Sequence, residues 1–106
     1  MPVITAGNGI VTHINVFTVE PARQQELVDS LTETVNAAQH MPGWISASIH
    51  QSFDGRQVVN YVQFESQEAA QKVTQQLLAM NLIQPNVAIG SVKPGQYDVV
   101  YTASKA

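Results

Sequence analysis

Three polar side chains on otherwise apolar, strand-like runs are the residues best placed to do chemistry in this sequence. One of them, Asn60, lies in the alternating run Val58–Phe64, where Val62 and Phe64 share its face. A buried amide needs a hydrogen-bond partner, which is either neighbouring backbone or a ligand. Both interpretations of Asn60 are open at this point.

The other two, His13 and Asn15, share one face of the run Ile10–Val19 with Phe17. Histidine is the usual general base near neutral pH, so His13 is a candidate to accept a proton at the mouth of a pocket. Asn15 is a candidate ligand-binding amide, although a hydrogen bond to strand backbone would explain it equally well.

Several kinds of site are excluded by the residues the chain contains. It has no cysteine, which removes disulfides, thiolate catalysis and thiolate metal sites. Its five cations are scattered singly and form no basic stripe for nucleic-acid phosphates. Histidines and carboxylates show no metal-ligand spacing, and no serine has the surroundings of a hydrolase nucleophile. We expect no metal, no nucleic acid and no hydrolysis.

The size and composition of the chain are typical of one globular domain. We expect a single domain over residues 1–106 with its core at about 10–102. Only 12% of residues are charged, so part of the surface is expected to be covered by a partner. No apolar run approaches the roughly twenty residues that span a bilayer, and no secretory signal is visible. We expect a cytoplasmic protein without a membrane partner.

Four strands and two helices would position the polar side chains. Apolar spacing and breakers predict strands over Ile10–Val19, Trp44–Ser52, Val58–Phe64 and Gln96–Thr102. Two amphipathic helices are predicted over Pro21–His40 and Ser66–Met80, with Ser66 as the N-cap of the second. One short helical turn is expected between residues 81 and 95.

The pair Asp54-Gly55 is a strong hairpin signal between the second and third strands. A two-residue loop there fixes which residues face one another across the hairpin. The predicted pairs are Ile49 with Asn60, Ala47 with Val62, and Ile45 with Phe64. Trp44 would then lie on the opposite face of the sheet from Ile45.

The element order β-α-β-β-α-β predicts an α+β fold with the ferredoxin-like arrangement, a four-stranded antiparallel sheet with both helices on one face. The other face would be an exposed apolar patch, which a homodimer through the sheet faces would cover. Residues expected at that interface are Ile14, Val16, Trp44, Val59 and Tyr61.

The sequence resembles the antibiotic biosynthesis monooxygenase (ABM) superfamily of dimeric α+β barrel proteins. The resemblance runs from about Val11 to Tyr101. The segments that carry it are Ile14–Pro21, Pro42–Ala47, Asp54-Gly55 and Asn60–Ser66.

The resemblance implies a pocket between sheet and helices and a monooxygenase that uses no metal, flavin or haem. Such enzymes oxidise small phenol-, anthrone- or quinone-type aromatic substrates, which supply the electrons that reduce dioxygen. The candidate catalytic residues are Asn60, Asn15 and His13, with Asn60 as the first choice for binding oxyanion charge. The candidate substrate-binding residues are Phe64, Phe17, Val62 and Ile49.

The sequence also differs from that family pattern at two places. Phe64 lies where the oxygenases usually have a tryptophan, so the ring is kept but its N–H donor is lost. Ala70 lies where an aromatic residue is often found.

A haem-degrading branch of the superfamily has a histidine on the second helix, and this chain has no histidine after His50. The alternative function is a non-enzymatic small-molecule-binding or accessory module of the same fold.

Overall fold

The computed structural model describes Ile4 and residues 9–106 of the chain. Its strands are β1 (Val11–Thr18), β2 (Trp44–Gln51), β3 (Gln57–Phe64) and β4 (Ser91–Asp98). Its helices are α1 (Gln24–Ala38), α2 (Gln67–Ala79) and the short α3 (Gln84–Ile89). None of the helices in this described part is long and apolar enough to cross a membrane.

The four strands form one antiparallel sheet in the order β2-β3-β1-β4. Helices α1 and α2 both contact β2 and β3, and α3 bridges α1 and β4. This confirms the predicted α+β class, the ferredoxin-like order and the four-stranded antiparallel sheet. The dimeric barrel stays a prediction, because it needs a second chain.

The two long helices begin and end for recognisable reasons. A 3₁₀ turn over Pro21–Arg23 precedes α1, so the regular helix starts later and ends earlier than the predicted Pro21–His40. The Ser66 side chain accepts a hydrogen bond from the backbone N–H of Ala69 at 3.1 Å, as expected of an N-cap. The predicted apolar stripes are buried at their centres, although Met80 is exposed.

The fourth strand was predicted in the wrong place. It spans Ser91–Asp98 and not Gln96–Thr102, so it runs through Pro94 and Gly95, which the sequence suggested were breakers. The physical reason is that β4 lies at the edge of the sheet, where a proline costs little because only one side of the strand is paired. The predicted short helical turn before it is α3.

The predicted register of the β2–β3 hairpin is correct near the loop and wrong at the far end. Ile49 pairs with Asn60 and Ala47 with Val62, but an irregularity between Trp44 and Ser46 shifts the ladder. Trp44, and not Ile45, therefore lies opposite Phe64. An extra residue in one strand turns the following side chains to the other face, so Ile45 is 38% exposed.

The hydrophobic core between the sheet and the helices is split into two clusters. One joins β1, β3 and α1 through Phe17, Val58, Leu27 and Leu31. The other joins β3, α1 and α2, and its buried members are Ala38, Val62, Phe64, Ala70, Val73 and Leu77. Residues of both clusters line a cavity, which therefore occupies the place where a continuous core would otherwise lie.

Candidate functional site

The cavity has a volume of about 500 Å³ and lies between the helix-facing side of the sheet and all three helices. That volume is within the range of small-molecule binding pockets. Strand alternation places the side chains of β1 at positions 13, 15 and 17 and those of β3 at positions 60, 62 and 64 along its floor. The surrounding wall is predominantly apolar.

A row of residues across the sheet places the two asparagines side by side. Asn15 on β1 pairs directly with Asn60 on β3, and the same row ends in Ile49 on β2 and Pro94 on β4. Side chains at directly opposed positions lie about 4.5–5.5 Å apart at Cβ. The floor of the cavity thus carries two adjacent amides.

The Asn60 amide is buried without a complete set of hydrogen bonds. The residue is only 9% exposed, and its Oδ1 has neither a hydrogen-bond partner nor contact with solvent. A buried acceptor without a partner costs about 1–3 kcal/mol. Such an atom in a cavity wall needs an explanation, and a ligand bound in the cavity is one.

His13 lies one row further along the sheet, opposite Val62 on β3 and Gln96 on β4. Its ring is tilted by 60° against the ring of Phe64, with 5.0 Å between centroids. Burial lowers the pKa of His13 below its ordinary value, because the charged imidazolium loses solvent. Its Nε2 is buried and has no partner. The lowered pKa favours the neutral imidazole, with one ring N–H, at neutral pH.

A second buried asparagine, Asn86 on α3, is fully hydrogen-bonded. The Ser30 hydroxyl donates to Asn86 Oδ1 at 2.6 Å, and Asn86 Nδ2 donates to Thr34 Oγ1 at 3.0 Å and to the Leu82 carbonyl at 3.3 Å. These bonds hold α3 against α1 and form the side of the cavity away from the sheet. Asn86 therefore has a structural role and a satisfied side chain, whereas Asn60 Oδ1 has no partner.

The mouth of the cavity is formed by neutral polar side chains. Gln71, Thr74 and Gln75 of α2 lie on one side, and Gln96 of β4 lies on the other. Gln67 at the start of α2 donates a hydrogen bond to Gln96 at 2.6 Å, which links the two sides. The cavity therefore has polar groups on its floor and at its mouth, with apolar walls between them.

Six of the seven side chains predicted from the sequence line this cavity. They are His13, Asn15, Phe17, Asn60, Val62 and Phe64. Ile49 lies in the same row as Asn60 but packs against the cluster around Leu27 and is not part of the lining. Their roles in binding or catalysis stay predictions.

Sequence reasoning placed Trp44 wrongly and missed other lining residues. Trp44 was expected at the dimer interface, on the face away from the helices, but the β2 irregularity turns it to the helix side, where it lines the cavity. The residues supplied by α3 and β4, among them Val87, Val92 and Pro94, were also missed. No simple pattern marked them, because the segment 81–95 had no regular periodicity. Among the described residues no three His, Cys, Asp or Glu side chains are grouped to hold a metal.

Comparison with known proteins identifies the family. The sequence profile named antibiotic biosynthesis monooxygenase matches residues 10–76, which is more than half of the chain. The chain belongs to the antibiotic biosynthesis monooxygenase family. The matched region includes β1, β2, β3 and most of α2, and hence all six predicted residues that line the cavity.

Two relatives of this chain come from Streptomyces species. The chain is 46% identical to the tetracenomycin-F1 monooxygenase of Streptomyces glaucescens over 68 residues, which are 63% of this chain and 61% of that relative. The monooxygenase from the gene ActVA-Orf6 of Streptomyces coelicolor, solved with the ligand nanaomycin D, is 27% identical. That structure superposes with a TM-score of 0.77 over 92% of this chain and 93% of its own.

A third comparison supports the fold alone. SnoaB, a cofactor-independent oxygenase from Streptomyces nogalater, is 18% identical and has a TM-score of 0.77, with 92% of this chain and 99% of that chain covered. The ABM fold of the present chain is therefore shared at low sequence identity. The matched part of the tetracenomycin-F1 monooxygenase is less than two thirds of its length, so its activity does not pass to this chain by similarity alone.

Proposed function

We propose that this ABM-family protein is a cofactor-independent monooxygenase that oxidises a small phenol- or anthrone-type aromatic substrate in the cavity. One observation carries the proposal: the neighbouring Asn15 and Asn60 amides on an otherwise apolar cavity floor, with Asn60 incompletely hydrogen-bonded. A neutral imidazole, His13, lies in the next row. The names of the relatives support the same reaction class.

The reaction needs no electron donor besides the substrate. Loss of a C–H proton beside an aromatic ring leaves a carbanion whose charge is shared with a phenolic oxygen. This anion reduces dioxygen, and one oxygen atom becomes a carbonyl on the substrate carbon. The second oxygen leaves as water together with the two hydrogens removed from that carbon. Atoms and electrons balance with dioxygen as the sole oxidant.

The proposed roles of the polar residues follow from where charge develops. The amide nitrogens, Nδ2 of Asn60 and Nδ2 of Asn15, would donate hydrogen bonds to the oxygen that becomes negative, whereas Asn60 Oδ1 can only accept one. Such donors act most strongly in a water-poor site. His13 would accept the proton, for which a neutral imidazole at neutral pH is required. Phe17, Phe64 and Val62 would hold the flat ring system by apolar contact.

Phe64 bears on the choice between an oxygenase and a non-enzymatic binding module, because an aromatic ring is present there but an N–H donor is not. The His13 ring lies against the Phe64 ring. Trp44, which pairs with Phe64 and lines the same cavity, does carry an indole N–H. The alternative, a binding or accessory module, uses the same cavity and makes no product. Substitution of the floor amides distinguishes the two functions.

The test is product formation by metal-free protein with an anthrone substrate, with and without air. Asn60→Ala and Asn15→Ala should each lower turnover by about 100–1000-fold while the protein stays folded, as expected when a single oxyanion donor is removed. Asn86→Ala is not a usable control because it breaks structural bonds. Thr32→Ala on the exposed side of α1 is a suitable one. Absence of oxygen-dependent product from the wild-type chain across a panel of anthrones and hydroquinones would contradict the enzymatic function.

We also propose that two copies pair through the sheet faces away from the helices. Ile14, Val16, Val59 and Tyr61 on that face are only half-buried within one chain, so a second copy would remove further apolar surface from water. Light scattering should give a dimer mass, and a monomer mass at micromolar concentration would contradict the pairing. A cytoplasmic location stays a prediction that cell fractionation would test.

A further inference from the structure

Trp44 lies at the end of the cavity that is remote from the two floor asparagines. It pairs with Phe64 across the β2–β3 ladder, and both side chains line the cavity. Asn60 lies four residues before Phe64 on the same strand, so the two ends of the floor are about 13 Å apart. An indole ring carries one N–H group, which donates a hydrogen bond and cannot accept one.

The indole N–H of Trp44 is not used within the described part of the chain. No described residue accepts a hydrogen bond from Nε1, although the Trp44 backbone N–H donates to the Met41 carbonyl at 3.3 Å. The residue is partly buried, and its Nε1 is not sealed from solvent as Asn60 Oδ1 is. Since an indole N–H on an apolar surface usually finds a partner, its acceptor is expected to be water or a bound molecule.

The turn that precedes Trp44 holds it in place. Gly43 has a φ of 86° and lies so close to α2 that an added Cβ would collide with Ala69. The Gly43 carbonyl accepts a hydrogen bond from the Glu65 N–H at 2.9 Å, which ties the turn to the end of β3. The Trp44 side chain packs against the apolar cluster that contains Phe64. A donor held by such contacts needs little reorganisation when a ligand binds.

We propose that Trp44 is a binding residue whose indole N–H donates to an oxygen of the ligand, at the end of the molecule remote from Asn15 and Asn60. The inference rests on the proposed function, because it adds one contact to the same site. The oxygen that becomes negative in the reaction lies with the amides, about 13 Å along the floor, so the indole contact is equal in the ground state and the transition state. Trp44 therefore sets the affinity and orientation of the ligand and leaves the rate of the chemical step unchanged.

Because the chain has one tryptophan, the contact can be observed without turnover. Protein with an isotopically labelled indole nitrogen gives one indole N–H signal in a proton–nitrogen correlation spectrum, and that signal belongs to Trp44. The probe is danthron, the anthraquinone expected from oxidation of the anthrone dithranol. Danthron should move the indole proton downfield, as a hydrogen bond to oxygen does. The backbone amide signals report binding independently.

Replacement of Trp44 separates the N–H group from the shape of the ring. Trp44→Phe removes the donor and one ring, whereas benzothienylalanine incorporated at this position keeps two fused rings and has sulfur in place of the N–H. With dithranol as substrate, both replacements should raise KM by about three- to tenfold, as expected for loss of one neutral hydrogen bond, and leave kcat within about twofold. Asn60→Ala should show the other pattern, a lower kcat.

The outcomes separate this inference from the proposed function. If danthron shifts backbone signals but not the indole proton, or if the benzothienyl variant keeps the wild-type KM, the Trp44 contact is refuted and the oxygenase remains. If the indole proton moves downfield and the wild-type chain forms no oxygen-dependent product, the contact is supported and the oxygenase fails. If danthron moves no signal up to its solubility limit, Trp44 binds no such ligand and the inference is wrong.

Discussion

Two buried asparagines with opposite hydrogen-bonding states allow a sharp test of the site. Asn60→Leu replaces an amide by an apolar side chain of similar size in a mainly apolar wall. Because Asn60 Oδ1 is buried without a partner, the substitution removes a desolvation penalty of about 1–3 kcal/mol. We expect the free energy of unfolding to rise by about 1 kcal/mol, and the melting temperature to rise by about 4–8 °C in a domain of this size.

The same substitution at Asn86 should have the opposite effect. Asn86→Leu leaves the Ser30 hydroxyl without its acceptor and removes the donor to Thr34 Oγ1. Loss of these bonds is expected to lower the free energy of unfolding by about 2–3 kcal/mol. The two variants should therefore differ by about 3–4 kcal/mol, although each exchanges a buried asparagine for leucine at the same cavity.

Urea denaturation followed by circular dichroism measures both changes on the same scale. A total stability of about 5–15 kcal/mol leaves even the Asn86 variant folded enough to compare. Asn60→Leu should be more stable than the wild type and yet lose turnover, which would identify Asn60 as a functional amide held at a cost. If the two variants are destabilised by the same amount, the Asn60 amide is satisfied in solution and the reasoning about the site is wrong.

Three further changes test the remaining elements. Burial lowers the pKa of His13 below its ordinary value of 6.5, so as the pH falls the unfolded chain takes up a proton at this residue before the folded chain does. The free energy of unfolding should therefore decrease as the pH drops below 6.5, and it should decrease less steeply in His13→Phe. Urea titrations at a series of pH values measure both slopes. Ser66→Ala should cost about 1 kcal/mol through loss of the N-cap bond to Ala69, whereas the exposed Thr32→Ala should cost less. Gly43→Ala should lower the melting temperature strongly, because φ is 86° and the new Cβ would collide with Ala69 Cβ; an unchanged value would contradict the tight turn.

The sheet and the floor of the cavity could be predicted from the sequence because period-two alternation assigns faces directly. Asn60, Val62 and Phe64 share a face in any antiparallel sheet that contains their strand, and the Asp54-Gly55 turn fixes their neighbours on β2. The pairing of Asn15 with Asn60 needed the structure, since no turn joins β1 to β3.

The parts that could not be predicted depend on tertiary context. The irregularity beside Trp44 has no local marker such as glycine within the strand, yet it moves the indole from one face to the other. Pro94 and Gly95 suggest a loop until it is known that their strand lies at the sheet edge. Whether Asn60 or Asn86 is fully hydrogen-bonded depends on packing between distant elements, which composition and spacing do not encode.

Labelled dioxygen tests the central claim most directly. Metal-free protein is incubated with an anthrone substrate under oxygen enriched in a heavy isotope, and the product is analysed by mass spectrometry. The proposed chemistry predicts a quinone formed faster than in the absence of protein, with one heavy oxygen atom in the new carbonyl and a rate that falls in Asn60→Ala. A product formed no faster than the uncatalysed rate, or one without the label, would contradict a cofactor-independent monooxygenase.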